Sequence, residues 1–290
     1  MTNTKLYEVV DKIEKLPEMF SIAIRVAKAI QDPDVNAEQL AKIISPDQSL
    51  TTQLLKLCNS AEYGYSKKTA TIKEAIPRLG FKTIKNLVFI AISQGVLTKP
   101  LKGYDLEKGA LWQNSISCAV YARHLSKVVG YPDPDIAFTA GLLRDIGKLI
   151  IHEYIGESYD QIVELVNSEN ITFAQAEEQI LGFNHTEIGA RVAEKWNFPS
   201  LLTEAIRYHH SPNTAKDFND IKLLSIVHIA DAITMMLGSG MGNDGMMYKI
   251  EMSALEALQI PATPASIEKI ISDMVELNEE IQNMTGLVNE

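Results

Sequence analysis

Residues 137–149 read AFTAGLLRDIGKL, an apolar helical run that ends in two adjacent charges, Arg144 and Asp145. A buried charge without a partner is very costly, so the fold must bring partners to this pair. The candidates lie far along the chain, at His185, His209, His210 and Asp231. Any fold of this chain has to close those long intervals. The chemical question is whether the gathered residues hold a metal or whether Arg144 has taken a metal's place.

Almost every other segment has helical period, and none alternates convincingly as a strand would, which predicts an all-α fold. Met19, Ala23, Val26, Ala27 and Ile30 form one stripe. Asn36 with Gln39, Thr71 with Glu74, Thr172 with Gln175, and Asn184 with Glu187 each have capping-box spacing. Ser45-Pro46-Asp47-Gln48 reads as a cap with proline at the first helical position. Asp105 is placed to cap a long helix ending near Gly130, with Asn114 as the polar intruder on its inner face, and Gly147 is placed to break the helix after Asp145. The stretch 98–104, TKPLKGY, is the best boundary between an N-terminal helical lobe and a second lobe. Thr263-Pro264 opens a last amphipathic helix to about Gln282, expected to pack on its own domain through Ile267, Ile270, Ile271, Met274, Val275 and Leu277.

Composition narrows the function. A net charge of -10 argues against a domain built to grip nucleic-acid phosphates. The helix pair 36–44 and 46–60 resembles a helix-turn-helix in outline, but its second helix offers only Lys56 as a cation, so DNA binding ranks last among the readings. The two cysteines, Cys58 and Cys118, sit in apolar helical patterns and read as reduced, buried thiols. The N-terminus lacks a signal-peptide core, and no apolar run is long enough to span a bilayer, so the expectation is a cytoplasmic protein with no membrane partner. Residues 238–245, GSGMGNDG, hold four glycines, but neither a preceding strand nor a following Lys-Ser/Thr makes them a nucleotide loop, and a mobile loop is expected.

Asp145, His185, His209, His210 and Asp231 each fall at a helix end or inside an apolar stripe. Imidazole and carboxylate together suit iron, manganese, zinc or nickel. His185 falls in the first turn of its helix, where the dipole favours the neutral, ligand-competent ring. His228, one turn before Asp231, reads as a structural hydrogen-bonding neighbour.

Several blocks in the same order carry a resemblance: LPEMFSIAIRVAKAIQDPDVNAEQLAKIIS, SLTTQLLKLCNSAEYG, TIKEAIPRLGFKTIKNLVF, FTAGLLRDIGKL, His185-Thr-Glu-Ile-Gly-Ala, His209-His210 and Ala230-Asp231. Together they resemble the HDOD domain, the output-domain branch of the HD phosphohydrolase superfamily. The resemblance spans about 6–237 and implies two packed helical lobes, about 6–97 and an HD-like lobe of about 105–237, followed by a Gly-rich loop and helical extension over 238–290. Active HD enzymes bind a first metal through a His before the signature, the signature His and Asp, and a later Asp. Here Asn114 and Arg144 stand in the two His places, while Asp145 and Asp231 remain. Arginine is a permanent cation with donors only, so it cannot ligate a metal, though it can neutralise both carboxylates. By likeness to the HD-GYP phosphodiesterases, a second metal position would use Asp145, His185, His209 and His210, but His209-His210 runs into Ser211-Pro212-Asn213 rather than the GYP tripeptide.

The resemblance therefore implies a non-catalytic bacterial signal-transduction module with a degenerate HD site, acting through signalling proteins of unknown identity, with homodimerisation open. No resident cofactor is expected, with one divalent transition metal (iron, manganese, zinc or nickel) left open at the second position, where it would serve structure alone or nothing at all. The alternative is a metal-dependent phosphohydrolase or cyclic-dinucleotide phosphodiesterase using one divalent transition metal at the surviving site.

Overall fold

A computed structural model describes residues 17–59, 69–215, 218, 220–240, 242–245 and 248–286. The expectations that fall on 6–16 and 60–68, and on the side chain of Met19, lie outside the described residues. Within them the chain is all-α, and the one strand-like feature is an isolated bridge between Leu101 and Leu106. The helices are α1 (Pro17–Ala29), α2 (Ala37–Ile44), α3 (Gln48–Cys58), α4 (Ile72–Leu97), α5 (Ala110–Val128), α6 (Pro134–Leu143) and α7 (Lys148–Glu169). They continue as α8 (Phe173–Leu181), α9 (His185–Lys195), α10 (Ser200–Tyr208), α11 (Ile221–Met236), α12 (Met252–Ala257), α13 (Pro264–Val275) and α14 (Asn278–Gly286). No described helix is long and apolar enough to cross a membrane.

Local chemistry sets most of these boundaries. Asn36 and Thr172 make full capping boxes with Gln39 and Gln175, each satisfying two backbone donors that the helix leaves open. The Ser45-Pro46-Asp47-Gln48 expectation is corrected. Asp47 caps α3, accepting from Leu50 N at 2.9 Å, while Ser45 closes α2 by donating its N–H to Ala41 O. A carboxylate is well placed at the positive end of the helix dipole, and Ser45 is already committed to the preceding helix. Asp105 does not cap α5 either. It is left-handed at φ 55 and closes the short turn Lys102–Tyr104, and Gly109 precedes α5 without a side-chain cap. Gly80, at φ 81, interrupts the helical geometry inside α4, so the helix that Thr71 caps ends there and a second follows it across a kink. The last helix is likewise split, into α13 and α14. Met274 is buried and Val275 is exposed.

The N-terminal helices pack on the rest through rings. Phe20 of α1 stacks on Trp196 with centroids 5.0 Å apart, and Phe198 meets both Phe20 and Phe89 edge-on. Helices α2 and α3 bury Leu40, Ile44, Leu50, Leu54, Leu57 and Cys58 and leave Ser49, Thr52 and Lys56 exposed. Both cysteines are free and buried, and burial pushes the Cys58 thiol up to about 11.

Helices α5, α6 and α11 are buried nearly all round and form the centre of the molecule. The chain turns at 144–147, but Gly147 keeps right-handed geometry at φ -64. Its glycine is demanded by packing: a Cβ there would lie 1.9 Å from His185 O and 2.7 Å from Gly189 N. That approach sets α7 against the start of α9 and so brings Asp145 to His185. Gly147→Ala is expected to destabilise the protein by about 1–3 kcal/mol, the usual range for overpacking a tight contact, measured by urea unfolding.

Candidate metal centre

Arg144 caps the end of α6 and is fully buried. Its Nε donates to Asp231 Oδ1 at 2.6 Å, Nη1 donates to Gly141 O at 3.0 Å, and Nη2 donates to Asn114 Oδ1. Nη2 also lies 2.6 Å from Asp231 Oδ1 and 3.2 Å from Asp145 Oδ2. The guanidinium thus sits among Asn114, Asp145 and Asp231. Burial alone would lower its pKa, but Asp231, Cys118 and Asp145 outweigh that and raise it further. Asn114 turns its amide NH2 to Ser239 O at 3.0 Å, so both ends of that side chain are used.

Lys148, in the first turn of α7, is also buried. Its Nζ stands 3.0 Å from Asp145 Oδ1 and donates to Asp244 Oδ2 at 2.5 Å. Asp244 lies in the glycine-rich segment expected to be mobile, yet the described part of that segment is packed over the site. A Cβ on Gly240 would meet Ala110 O at 2.1 Å, and one on Gly242 would meet Tyr104 O at 2.2 Å.

Beside this cluster the structure gathers Asp145, His185, His209 and His210, with one ligand atom of each within 4.8 Å of all the others. His185 Nε2 is 3.0 Å from His210 Nε2 and 3.5 Å from Asp145 Oδ1, and His209 Nε2 is 3.6 Å from the same oxygen. Donor atoms around a four-coordinate transition metal are spaced by about 3.3 Å, so these separations fit one ion. The outer ring nitrogens are already committed, His185 Nδ1 to Glu177 Oε2 at 2.7 Å and His209 Nδ1 to Ile206 O at 2.8 Å. Both Asp145 oxygens and His209 Nε2 lack a hydrogen-bond partner despite burial. The arginine and lysine reach Asp145 at ion-pair distance but out of hydrogen-bond alignment.

The charge balance points the same way. Four buried carboxylates, Asp145, Glu177, Asp231 and Asp244, face two cations, Arg144 and Lys148. The excess of two negative charges calls for protons on the histidines or for one divalent cation. Burial, His209 and His185 hold His210 well below the usual imidazole range, so its ring is neutral and fit to ligate. Burial raises the Asp145 carboxyl, but Lys148, Arg144 and His209 outweigh it and hold the group well below the usual carboxylate range. The residues present therefore suit a divalent transition metal bound by imidazole nitrogen and one carboxylate. His228 is occupied structurally, with Nδ1 on His209 O at 2.7 Å and Nε2 accepting from Glu251 N at 2.9 Å.

His210 is the one partly exposed member of the four, at 15% of its side chain, and it borders a cavity of about 590 Å³. The lining includes Arg207, Ser211, Tyr248 and Lys249 together with Glu178 and Glu251. Arg207 is tied to Glu194 and Glu204.

Glu177, Lys148, Asp244 and Tyr104 went unremarked in the sequence as parts of the site. Glu177 alone left a signal there, an acid one turn after Phe173 and one turn before Leu181 in an otherwise apolar stripe.

The HDOD domain family model matches residues 16–212, so the match ends before α11, which supplies Asp231. An uncharacterized protein of Treponema pallidum is 30% identical over 227 residues, 77% of this chain and 43% of its own length. Ribonuclease Y of Chloroflexus aurantiacus is 29% identical over 154 residues, 52% of this chain and 23% of its own length. The chain thus spans less than half the length of these curated relatives. The solved structure of an HDOD domain protein of unknown function from Geobacter sulfurreducens superposes with a TM-score of 0.72 at 26% identity, covering 100% of this chain and 99% of that one.

Two outcomes are expected. Arg144→Ala leaves the buried charge of Asp231 without its cation and Asp145 with Lys148 alone, and should cost about 3–5 kcal/mol of stability, read from a chemical melt. The metal-free protein should also lose stability on acidification. His210 and His228 have folded pKa values below that of a free imidazole, so the unfolded chain takes up protons first as pH falls below about 6.5. The slope should approach about 1.4 kcal/mol per pH unit for each such ring, with further loss below about pH 4, where the unfolded aspartate takes up a proton before folded Asp145 does, measured by unfolding between about pH 8 and 2.

Proposed function

Because the chain belongs to the HDOD family, related to the HD metal-dependent phosphohydrolases, we propose that it is a non-catalytic regulatory module of bacterial signal transduction that retains one metal position for structure rather than hydrolysis. The observation that carries this reading is the guanidinium of Arg144 lying among Asn114, Asp145 and Asp231. A permanent cation there repels a metal and fills the space that a first metal of the superfamily would need. Hydrolysis by two metals, which clamp the attacking and leaving oxygens together, is thereby removed. The remaining four-residue site can hold an ion whose binding energy goes into fixing α7, α9 and α10 on one another. The protein works in the cytoplasm through its surfaces, on signalling proteins or on a second copy of itself.

A one-metal phosphohydrolase is the second reading. It is favoured by the cavity that reaches His210, since a catalytic metal needs an open coordination position. Against it, Arg207 on the cavity wall is committed to two glutamates, which leaves Lys249 as the other lining cation to meet a phosphate, while Glu178 and Glu251 repel an anion.

Protein purified without chelator should carry about one transition metal per chain, lost in His185→Ala, and should show no turnover of an activated phosphodiester with or without added manganese. Turnover that disappears in His185→Ala would overturn the regulatory reading in favour of the hydrolase.

A further inference from the structure

We infer that Glu177, held in place by Tyr104, is the positioning residue of the metal centre and fixes which nitrogen of His185 faces a cation. The inference rests on the metal reading above. Glu177 is fully buried on α8, and its carboxylate takes three donors. Oε1 accepts from the Tyr104 hydroxyl at 2.7 Å, and Oε2 accepts from His185 backbone N–H at 2.9 Å and lies 2.7 Å from His185 Nδ1.

A carboxylate offers acceptors only, so the ring must place its proton on Nδ1. That leaves Nε2 as a bare lone pair directed at Asp145 and His210. The other tautomer would put an N–H where the ion has to sit. A ligating histidine whose second nitrogen is held by a carboxylate is also the stronger donor, because negative charge on the far side raises ring basicity. His209 has only a backbone carbonyl in the equivalent place, and His210 Nδ1 stands 3.9 Å from Asp231 Oδ2, beyond hydrogen-bond reach, so His185 is the ligand whose outer nitrogen is hydrogen-bonded to a carboxylate. Glu177 further contributes one of the negative charges that a dication would balance.

Tyr104 makes this arrangement rigid. Its hydroxyl pins Oε1, so the carboxylate plane cannot turn away from the imidazole. The tyrosine is itself locked by the Leu101–Leu106 bridge and by Gly103, where a Cβ would lie 2.0 Å from His152 O on α7. Lys148 Nζ lies 5.6 Å from the Tyr104 ring, so the residue joins the lysine side of the cluster to the histidine side. The segment that reads as a linker in the sequence thus delivers a side chain to the centre.

The test uses the full chain stripped of metal. Zinc is titrated against a chromophoric chelator, and the imidazole nitrogens of metal-free protein are observed by long-range ¹H–¹⁵N NMR. Wild type is expected to bind one zinc with His185 in the Nδ1–H form. Glu177→Gln, whose amide can turn its NH2 toward the ring, is expected to fold, to bind zinc about 10–100-fold more weakly, and to mix the two tautomers. Tyr104→Phe should move both readouts less, in the same direction, and serves as the second arm if Glu177→Gln does not fold. Unchanged zinc affinity together with an unchanged His185 tautomer in the variants would overturn the inference. Wild type that binds no zinc overturns the metal reading instead, and the tautomer measurement on metal-free protein then decides the role of Glu177 separately.

Discussion

The guanidinium of Arg144 meets α5 through Asn114, α11 through Asp231 and the following turn through Asp145, all without water-exposed surface. Three segments remote in sequence are thereby tied at one buried point. Such a contact is unforgiving. Asp231 depends on the arginine for compensation, Asp145 on the arginine and Lys148, and the arginine on both acids, so loss of any one partner leaves buried charge poorly balanced in a low-dielectric interior. The apolar helices α6 and α11 run to this point because it neutralises the charges they carry.

A second cation, Lys148, continues the network to Asp145 and Asp244 and closes the glycine-rich segment over it. Arg144 and Lys148 together leave Asp145 with its lone pairs unspent. The same carboxylate therefore serves as the acidic partner of a fixed-charge cluster on one side and as an available ligand among three histidines on the other. One side of Asp145 is thus held by fixed cations while the other keeps the chemistry to hold an ion.

Much of this was legible beforehand. The helical periods, the Asn36 and Thr172 boxes and the placement of His185 in a first turn follow from local rules, because a cap competes only with its own next few residues. The convergence of Asp145 with the three histidines came from matching blocks along the chain rather than from spacing. Ser45 misled as a cap because Asp47 met the need first with a carboxylate, whereas Asp105 was taken into the left-handed end of a tight turn and α5 was left without a side-chain cap. Tyr104 and Asp244 gave no local sign, since one sits in a Pro/Gly-bearing connection and the other among glycines, where burial is not the default.

The sequence by itself determined an all-helical chain and a charged pair at the end of an apolar run that could not remain alone. Through its resemblance to the HD signature it also implied that an arginine, which cannot give up its proton or a lone pair, stands where those enzymes have a ligand. Only the tertiary structure decided which acids receive that cation, and that Glu177 and Tyr104 lie behind His185. The reason is physical. Periodicity and capping are set within a few residues, whereas a buried charge is satisfied by whichever groups the packing of distant helices brings within about 3 Å.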